Sequence, residues 1–251
     1  MGAAYLESLG YGRRTKSSKV AKSKRRKVDI SDKYSFRFAE DILGSVKPLS
    51  SLWQEVLSAI YSISDEDIKR KHLEIQEQES TKSLSKAINQ LLDQRLKQKG
   101  WNDQSGIFSV PEYQDGTGST WTLDFSKGTT LENGETSGVA IEVAFNHAEA
   151  AAWNLTKPML AAEINDVRVQ NNIGEGVGIV VVASSELKKN GAFDGAIGDF
   201  SRYAKTLRAM RNTITVPIML LGLAAPKTFK VQPREQKNSP YKSGEIIPIS
   251  D

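Results

Sequence analysis

The chain has 251 residues, 39% of them hydrophobic, and a formal net charge of +4, so it can bury a core of ordinary size. It contains no cysteine, which excludes disulfide bonds, thiolate metal sites and cysteine nucleophiles, and its two histidines disfavour a histidine-built zinc site. No apolar run is long enough to span a bilayer, and the polar N-terminus lacks the apolar segment of a secretory signal. We therefore expect a cytoplasmic protein.

The N-terminal region is strongly basic. Residues 13–27 contain nine Lys or Arg residues and no acidic residue. Such a segment creates a local field that attracts a polyanion, which favours an arm that follows phosphate groups. A disordered solubilising tail and a chance match to a nuclear-import string are the alternatives.

Several helices are predicted after this arm. In residues 39–63 the apolar side chains recur at helical spacing, and Pro48 marks a break between a short helix and a longer one. Ser64 is the predicted N-cap of a third, highly charged helix. A further amphipathic run ends at Gly100. We expect these helices to cover a hydrophobic core.

The middle of the chain combines two β-rich segments with one carboxylate each. Asp124 lies in the first segment and Glu142 in the second, and Asn133-Gly134 between them is typical of a hairpin turn. Apolar residues alternate at period two in the second segment, which places them on the face opposite Glu142. These residues are Val139, Ile141, Val143 and Phe145. Asp124 is also expected to point away from its apolar neighbours, so pairing of the strands brings both carboxylates to one side of the sheet.

This pair of carboxylates favours a metal site. A buried carboxylate is unfavourable unless it is paired or holds a cation. Mg²⁺ prefers oxygen ligands and is commonly held by one or two carboxylates together with a substrate phosphate. The pattern therefore points to phosphodiester chemistry, and a solvated pair on a half-exposed sheet is the alternative.

The C-terminal half has an α/β pattern. Residues 148–162 predict a helix, and continuous apolar runs at 177–183 and 218–223 predict strands covered on both faces. Residues 200–211 form a basic amphipathic helical pattern between these strands. A mixed sheet with helices on both sides is expected. The polar residues 226–251 predict an extended C-terminal arm.

The two carboxylate segments resemble the BglII and BstYI group of type II restriction endonucleases. In that group an Asp between a hydrophobic residue and Phe precedes a Glu-x-Gln-Phe strand. The matching stretches here are Leu123-Asp124-Phe125 and Ile141-Glu142-Val143-Ala144-Phe145, and further pieces occur in the same order between residues 34 and 225. The resemblance implies an α/β, restriction-endonuclease-like core, with a central mixed β-sheet flanked by helices and extended N- and C-terminal arms. The catalytic and DNA-binding domain would span residues 34–225, between a basic arm at 1–33 and a C-terminal arm at 226–251.

The function that the resemblance implies is Mg²⁺-dependent, sequence-specific cleavage of palindromic double-stranded DNA by a homodimer, leaving 5′-phosphate ends. A GATC-centred site is the family-level expectation. Asp124, Glu142 and the Val143 carbonyl would hold the metal. The sequence departs from the family at Ala144, where the relatives have Gln. Lys127 or Asn146 could replace that Gln, and we take Lys127 as the third catalytic residue.

The resemblance also selects residues for DNA contact. The predicted DNA-binding residues are Asn146, His147, Lys157, Gly195, Ala196, Arg13, Arg14, Arg25 and Arg26. The first two follow the catalytic strand, where the relatives approach base edges, and Asn suits a bidentate pair with adenine. Lys157 matches a basic position in the relatives and suits a phosphate, as do the arginines of the basic arm. The glycine and alanine lie in the loop that corresponds to a second recognition loop.

Two other functions remain open from the sequence. Because a methyl group at Ala144 can neither orient a water nor balance charge, the chain could bind DNA selectively without cutting it. It could also be a structure-specific repair nuclease that prefers junctions or flaps to linear duplex.

Overall fold

The structure, a computed structural model, describes residues 26–108, 121–162, 176–236 and 239–249. Six strands of these residues form one mixed sheet. They are β1 (Ile30–Phe36), β2 (Asn102–Gly106), β3 (Thr122–Thr130), β4 (Thr136–Val143), β5 (Val177–Ala183) and β6 (Ile218–Leu223). The order across the sheet is β1-β6-β5-β4-β3-β2. Strands β4, β5 and β6 are parallel, and the outer strands pair antiparallel.

The centre of the sheet follows from the apolar runs. Every residue of β5 and of β6 is buried, because each strand is covered on both faces. Their bounds are those predicted from the sequence. The mixed α/β fold with helices on both sides of the sheet is therefore confirmed.

Seven α-helices lie among the described residues. They are α1 (Ala39–Ser45), α2 (Lys47–Ser62), α3 (Asp65–Gln76), α4 (Ser85–Lys97), α5 (Ala151–Ala162), α6 (Ser185–Asn190) and α7 (Phe200–Ala209). Pro48 lies in the first turn of α2, where its missing N–H leaves no bond unmade. Ser64 caps α3: its hydroxyl accepts from the Asp67 amide at 3.1 Å, and its own amide donates to Asp67 Oδ2 at 3.0 Å.

The sheet separates two cores. The first core contains apolar residues of α1 to α4, such as Trp53 and Leu92, with Ile141 of β4. The second core contains residues of α5 and α7, such as Leu155 and Tyr203. Helices therefore cover both faces, and α5 and α7 cover the face on which Glu142 lies.

The alternation predicted for the carboxylate strands holds in β4 but not in β3. In β4 the predicted apolar face packs in the first core, whereas Ala140 and Ala144 lie in the second core. In β3 the neighbours of Asp124 fall in different cores, Leu123 in the second and Phe125 in the first. The ladder between β3 and β4 ends at the pair of Phe125 with Ile141. The regular pairing of the two strands thus stops where the acidic residues begin.

The C-terminal residues form a hairpin instead of the extended arm that their polar composition predicts. Strands β7 (Phe229–Gln236) and β8 (Ser239–Pro248) pair antiparallel. Phe229 and Val231 are buried in the first core, and Gln76 of α3 donates its side-chain amide to the Gly244 carbonyl at 2.7 Å. Apolar residues and several polar contacts, among them the Gly244 amide donating to the Thr81 carbonyl, therefore fix this hairpin to the domain.

Of the four arginines of the basic arm that are predicted to bind DNA, Arg26 lies among the described residues. Its guanidinium donates to the Lys227 carbonyl at 3.4 Å, next to the C-terminal hairpin. Arg13, Arg14 and Arg25 lie outside the described residues. Within the part of the chain that the structure describes, no helix is long and apolar enough to cross a membrane.

Substitution of Gly244 by Ala is expected to destabilise the protein by about 1–3 kcal/mol, the usual range for overpacking. A Cβ there would overlap the Lys82 carbonyl oxygen and lie 2.6 Å from Val231 Cγ1. Gly44→Ala is the matched control, because Gly44 is in α1 and its Cβ would meet nothing within 4 Å. Urea unfolding should show a lower midpoint for Gly244→Ala alone. Equal midpoints for both variants would contradict the close docking of the hairpin.

Candidate active site

Asp124 and Glu142 meet at the point where the β3–β4 ladder ends. The amide of Asp124 donates to Glu142 Oε1 at 3.3 Å, and the amide of Val143 donates to Asp124 Oδ2 at 2.7 Å. Each carboxylate thus takes a backbone amide of the opposite strand. Glu142 is 2% exposed. The sheet therefore holds two acidic groups together in a poorly solvated place.

The cation that contacts this pair comes from helix α5. Lys157 Nζ forms an ion pair with Glu142 Oε2 and donates to the Thr122 carbonyl at 3.1 Å. The Lys157 side chain is 12% exposed. The sequence suggests a phosphate contact for Lys157, and the structure places its ammonium group directly on a carboxylate of the site.

Lys127 lies away from the carboxylates. Its Nζ donates to Glu55 Oε2 at 2.8 Å and to the Lys99 carbonyl at 2.7 Å. Trp101 Nε1 donates to the same Glu55 oxygen at 2.9 Å. Lys127 pairs in register with Val139, which packs in the first core, and its ammonium group contacts Glu55 of α2. Glu142 contacts Lys157 of α5, on the other face of the sheet. The structure therefore does not bring Lys127 to the site, contrary to the catalytic role suggested for it.

Asn146 and His147 follow β4 and are exposed at the edge of the sheet beside a second loop. His147 pairs with Ile197, and the Ala148 amide donates to the Ala196 carbonyl at 2.8 Å. Gly195 and Ala196 are exposed in that loop. Four of the residues selected for DNA contact thus gather at one edge, and two of them, Asn146 and His147, are close in sequence to Glu142.

A sequence profile described as restriction endonuclease BglII/BglIII matches residues 31–223. The chain belongs to this family of restriction endonucleases. A crystal structure of restriction endonuclease BglII complexed with a DNA 16-mer is similar to it, with a TM-score of 0.51 and 18% identity, over 89% of this chain and 100% of that one. A crystal structure of free BglII matches with a TM-score of 0.39 and 12% identity, over 89% of this chain and 100% of that one. No curated protein sequence matches the chain at a significant level.

Within this restriction endonuclease fold, Ala144 contributes no polar side chain to the site. It is 2% exposed and packs in the second core. Its amide donates to the Val181 carbonyl at 2.8 Å, which continues the pairing between β4 and β5. The position that carries Gln in the relatives is therefore part of the core here, and Lys157 supplies the polar contact to Glu142.

Burial dominates the electrostatics of the carboxylates. Desolvation raises the pKa of Asp124 above its ordinary value. Desolvation, together with repulsion from Asp124, raises the pKa of Glu142 to about 8, although Lys157 acts in the opposite direction. One ammonium group cannot neutralise two carboxylates, so the ionised pair keeps a net negative charge.

The residues of the site fit a hard divalent cation. No group of three or more acidic, histidine or cysteine residues able to hold a metal occurs among the described residues. Two carboxylates are nevertheless a usual protein contribution to a Mg²⁺ site, in which water and substrate phosphate supply the other oxygens. The excess negative charge of Asp124 and Glu142 is what such an ion would neutralise.

Three further residues near the site do not stand out in the sequence. Asn154 and Tyr203 are buried and hydrogen-bonded beside Asn146. The side chain of Gln104 in β2 acts on Asp124 and lowers the pKa of its carboxyl group against the effect of burial. A polar residue on the apolar side of a predicted helix indicates a buried hydrogen bond, and Asn154 fits that pattern. Gln104 lies in a polar strand, where one more polar residue indicates nothing.

Without metal, the free energy of unfolding should fall as the pH rises from about 5 to 8. Glu142 ionises near 4.5 in the unfolded chain and near 8 in the folded one, so the folded chain binds more protons between these values. Each pKa unit corresponds to about 1.4 kcal/mol. The measurement is urea unfolding in EDTA across this pH range, with Glu142→Gln as the comparison. The variant should lose less stability than the wild type, and identical losses would contradict the raised pKa of Glu142.

Proposed function

We propose that this chain is a type II restriction endonuclease that cleaves palindromic double-stranded DNA at a specific sequence. The reaction depends on Mg²⁺ and leaves 5′-phosphate and 3′-hydroxyl ends. The observation that carries the proposal is the meeting of two carboxylates, the half-buried Asp124 and the buried Glu142, in a chain of the restriction endonuclease family. The DNA in the similar BglII complex supports duplex DNA as the substrate.

In this proposal Asp124, Glu142 and the Val143 carbonyl would hold the Mg²⁺ ion. A bound Mg²⁺ ion neutralises charge on the phosphate and favours ionisation of a water. The chain's own residues prepare the place for this chemistry. The Val143 amide fixes one oxygen of Asp124, and the Asp124 amide fixes one oxygen of Glu142, so both carboxylates are oriented before substrate arrives.

Lys157 takes the position of the missing third polar group. Its contact with Glu142 Oε2 places a positive charge at the carboxylate pair, where the anionic phosphate would be cleaved. Its second contact, to the Thr122 carbonyl at 3.1 Å, fixes the direction of the flexible side chain. A lysine on the helix thus supplies the charge that a methyl group on the strand at Ala144 cannot supply. Lys127 has no part in the reaction under this proposal.

The DNA would lie along the edge formed by the end of β4 and the 194–196 loop. Asn146 and His147 are the proposed contacts to base edges, with Gly195 and Ala196 alongside. The arginines of the basic arm, Arg13, Arg14, Arg25 and Arg26, are proposed phosphate contacts. Two copies of the chain would bind one palindrome, because matching half-sites require matching subunits. A GATC-centred site remains the family-level expectation.

One observation favours a second candidate, a DNA-binding protein that does not cut. Ala144 is buried at the position where the relatives carry a polar catalytic residue. Under this alternative the chain binds a specific sequence with or without metal and leaves both strands intact even in Mn²⁺.

Incubation of the protein with unmethylated phage-length DNA in Mg²⁺ or in EDTA tests the proposal. Discrete fragments should form in Mg²⁺ alone, and the Asp124→Ala variant should form none while keeping its unfolding temperature. Mapping of the fragment ends then gives the recognition sequence and the 5′-phosphate. Intact DNA with selective binding would replace the proposal by the second candidate. Preferential cutting of junctions or flaps would identify a structure-specific nuclease instead.

A further inference from the structure

We propose that Asn146 reads a hydrogen-bond acceptor on a DNA base through its amide N–H groups alone, and that Asn154 and Tyr203 are the positioning residues that impose this choice. The inference rests on the proposed function, because it assumes that DNA lies along the edge where Asn146 is exposed. It adds to that function the type of base group that Asn146 can recognise.

The side-chain carbonyl oxygen of Asn146 is already hydrogen-bonded within the protein. Asn154 donates its side-chain amide to Asn146 Oδ1 at 2.9 Å and to the Tyr203 hydroxyl oxygen at 2.7 Å. The Tyr203 hydroxyl in turn donates to Asn146 Oδ1 at 3.4 Å. Both lone pairs of Asn146 Oδ1 are therefore directed at protein donors, and the N–H groups of the same amide are left for a ligand.

The two supporting residues are held rigidly. Asn154 is 2% exposed in α5, and Tyr203 is fully buried in α7. Burial of polar groups is unfavourable unless they are hydrogen-bonded, so the hydrogen bonds of this network offset the desolvation of Asn154 and Tyr203. Gly198 allows the neighbouring loop to approach it, since a Cβ there would lie 2.8 Å from Tyr203 Cε2. Asn146 is the member of this network that reaches the surface.

The network stands next to the proposed cleavage site. Asn146 follows the end of β4, the strand that carries Glu142, and β4 and β5 are parallel. Ligands of such sheets bind outside the carboxyl ends of the parallel strands. The Asn146 amide therefore lies at the edge where a substrate of the carboxylate pair would lie.

This arrangement changes the expected base contact. A bidentate pair with adenine requires both the carbonyl and the N–H groups of an asparagine, and here the carbonyl is occupied. An N–H donor alone pairs with a major-groove acceptor, which is guanine O6 or N7, adenine N7 or thymine O4. The bidentate adenine pair that the residue type suggests from sequence is therefore replaced by a contact to acceptors only.

Selection of binding sites from randomised duplexes tests the inference, in an Asp124→Asn background that prevents cleavage. Tyr203→Phe and Asn154→Leu should each weaken the preference at one base pair per half-site by about tenfold, because the Asn146 amide can then rotate. The preferences at the other base pairs should remain. Asn146→Asp should move the preferred base at that position to one that presents a donor, cytosine N4 or adenine N6.

Thr156→Ala is the control on α5, because Thr156 is partly exposed and bonds the Ala152 carbonyl within the helix. It should leave every preference unchanged. If Asn154→Leu lowers the unfolding temperature sharply, Tyr203→Phe decides alone, since it removes one hydroxyl group and keeps the ring.

Unchanged preferences in Tyr203→Phe, or an equal loss at all base pairs, would overturn the inference and leave the proposed function intact. An Asn146→Asp variant that keeps the wild-type preference would do the same. If the protein with Asn146, Asn154 and Tyr203 intact selects no sequence at all, the proposed function itself fails.

Discussion

The close approach of two carboxylates, one of them buried, with a single ammonium group is the constraint on which the rest of the site depends. Ionised acids out of water are unfavourable unless partners compensate for lost hydration. The chain compensates Asp124 and Glu142 with two backbone amides and Lys157. When both acids are ionised, the single ammonium group leaves a net negative charge that a divalent cation would neutralise. Charges without a full set of compensating partners are common at functional sites.

Close packing of α5 against the sheet places Lys157 beside Glu142. Pro158, the next residue, lies against Gly178 of β5, where an added Cβ would be 2.8 Å from Pro158 Cβ. A residue with no side chain in β5 thus allows the helix to approach closely. That approach directs the neighbouring lysine toward Glu142, so backbone packing and active-site electrostatics are linked.

Sequence reasoning succeeded where side-chain periodicity determines structure. The strands at 177–183 and 218–223 are predicted by continuous apolar runs, and the buried face of β4 is predicted by apolar residues at period two. The capped start of α3 at Ser64 was readable for a similar reason, since the capping residues are neighbours in sequence.

The sequence predictions that were wrong concern contacts between residues far apart in the sequence. Lys127 is closer than Lys157 to Asp124 in sequence, yet it faces the other side of the sheet and pairs with Glu55. Lys157 reaches Glu142 because a helix crosses the strand, which spacing alone does not reveal.

The measurement that tests this account most directly is the single-turnover DNA cleavage rate of Lys157→Met beside Lys127→Met, below the unfolding temperatures of both. We predict a loss of about 100-fold for Lys157→Met, partial recovery in Lys157→Arg, and a change within about threefold for Lys127→Met. A Lys157→Met rate equal to that of the wild type would contradict the account.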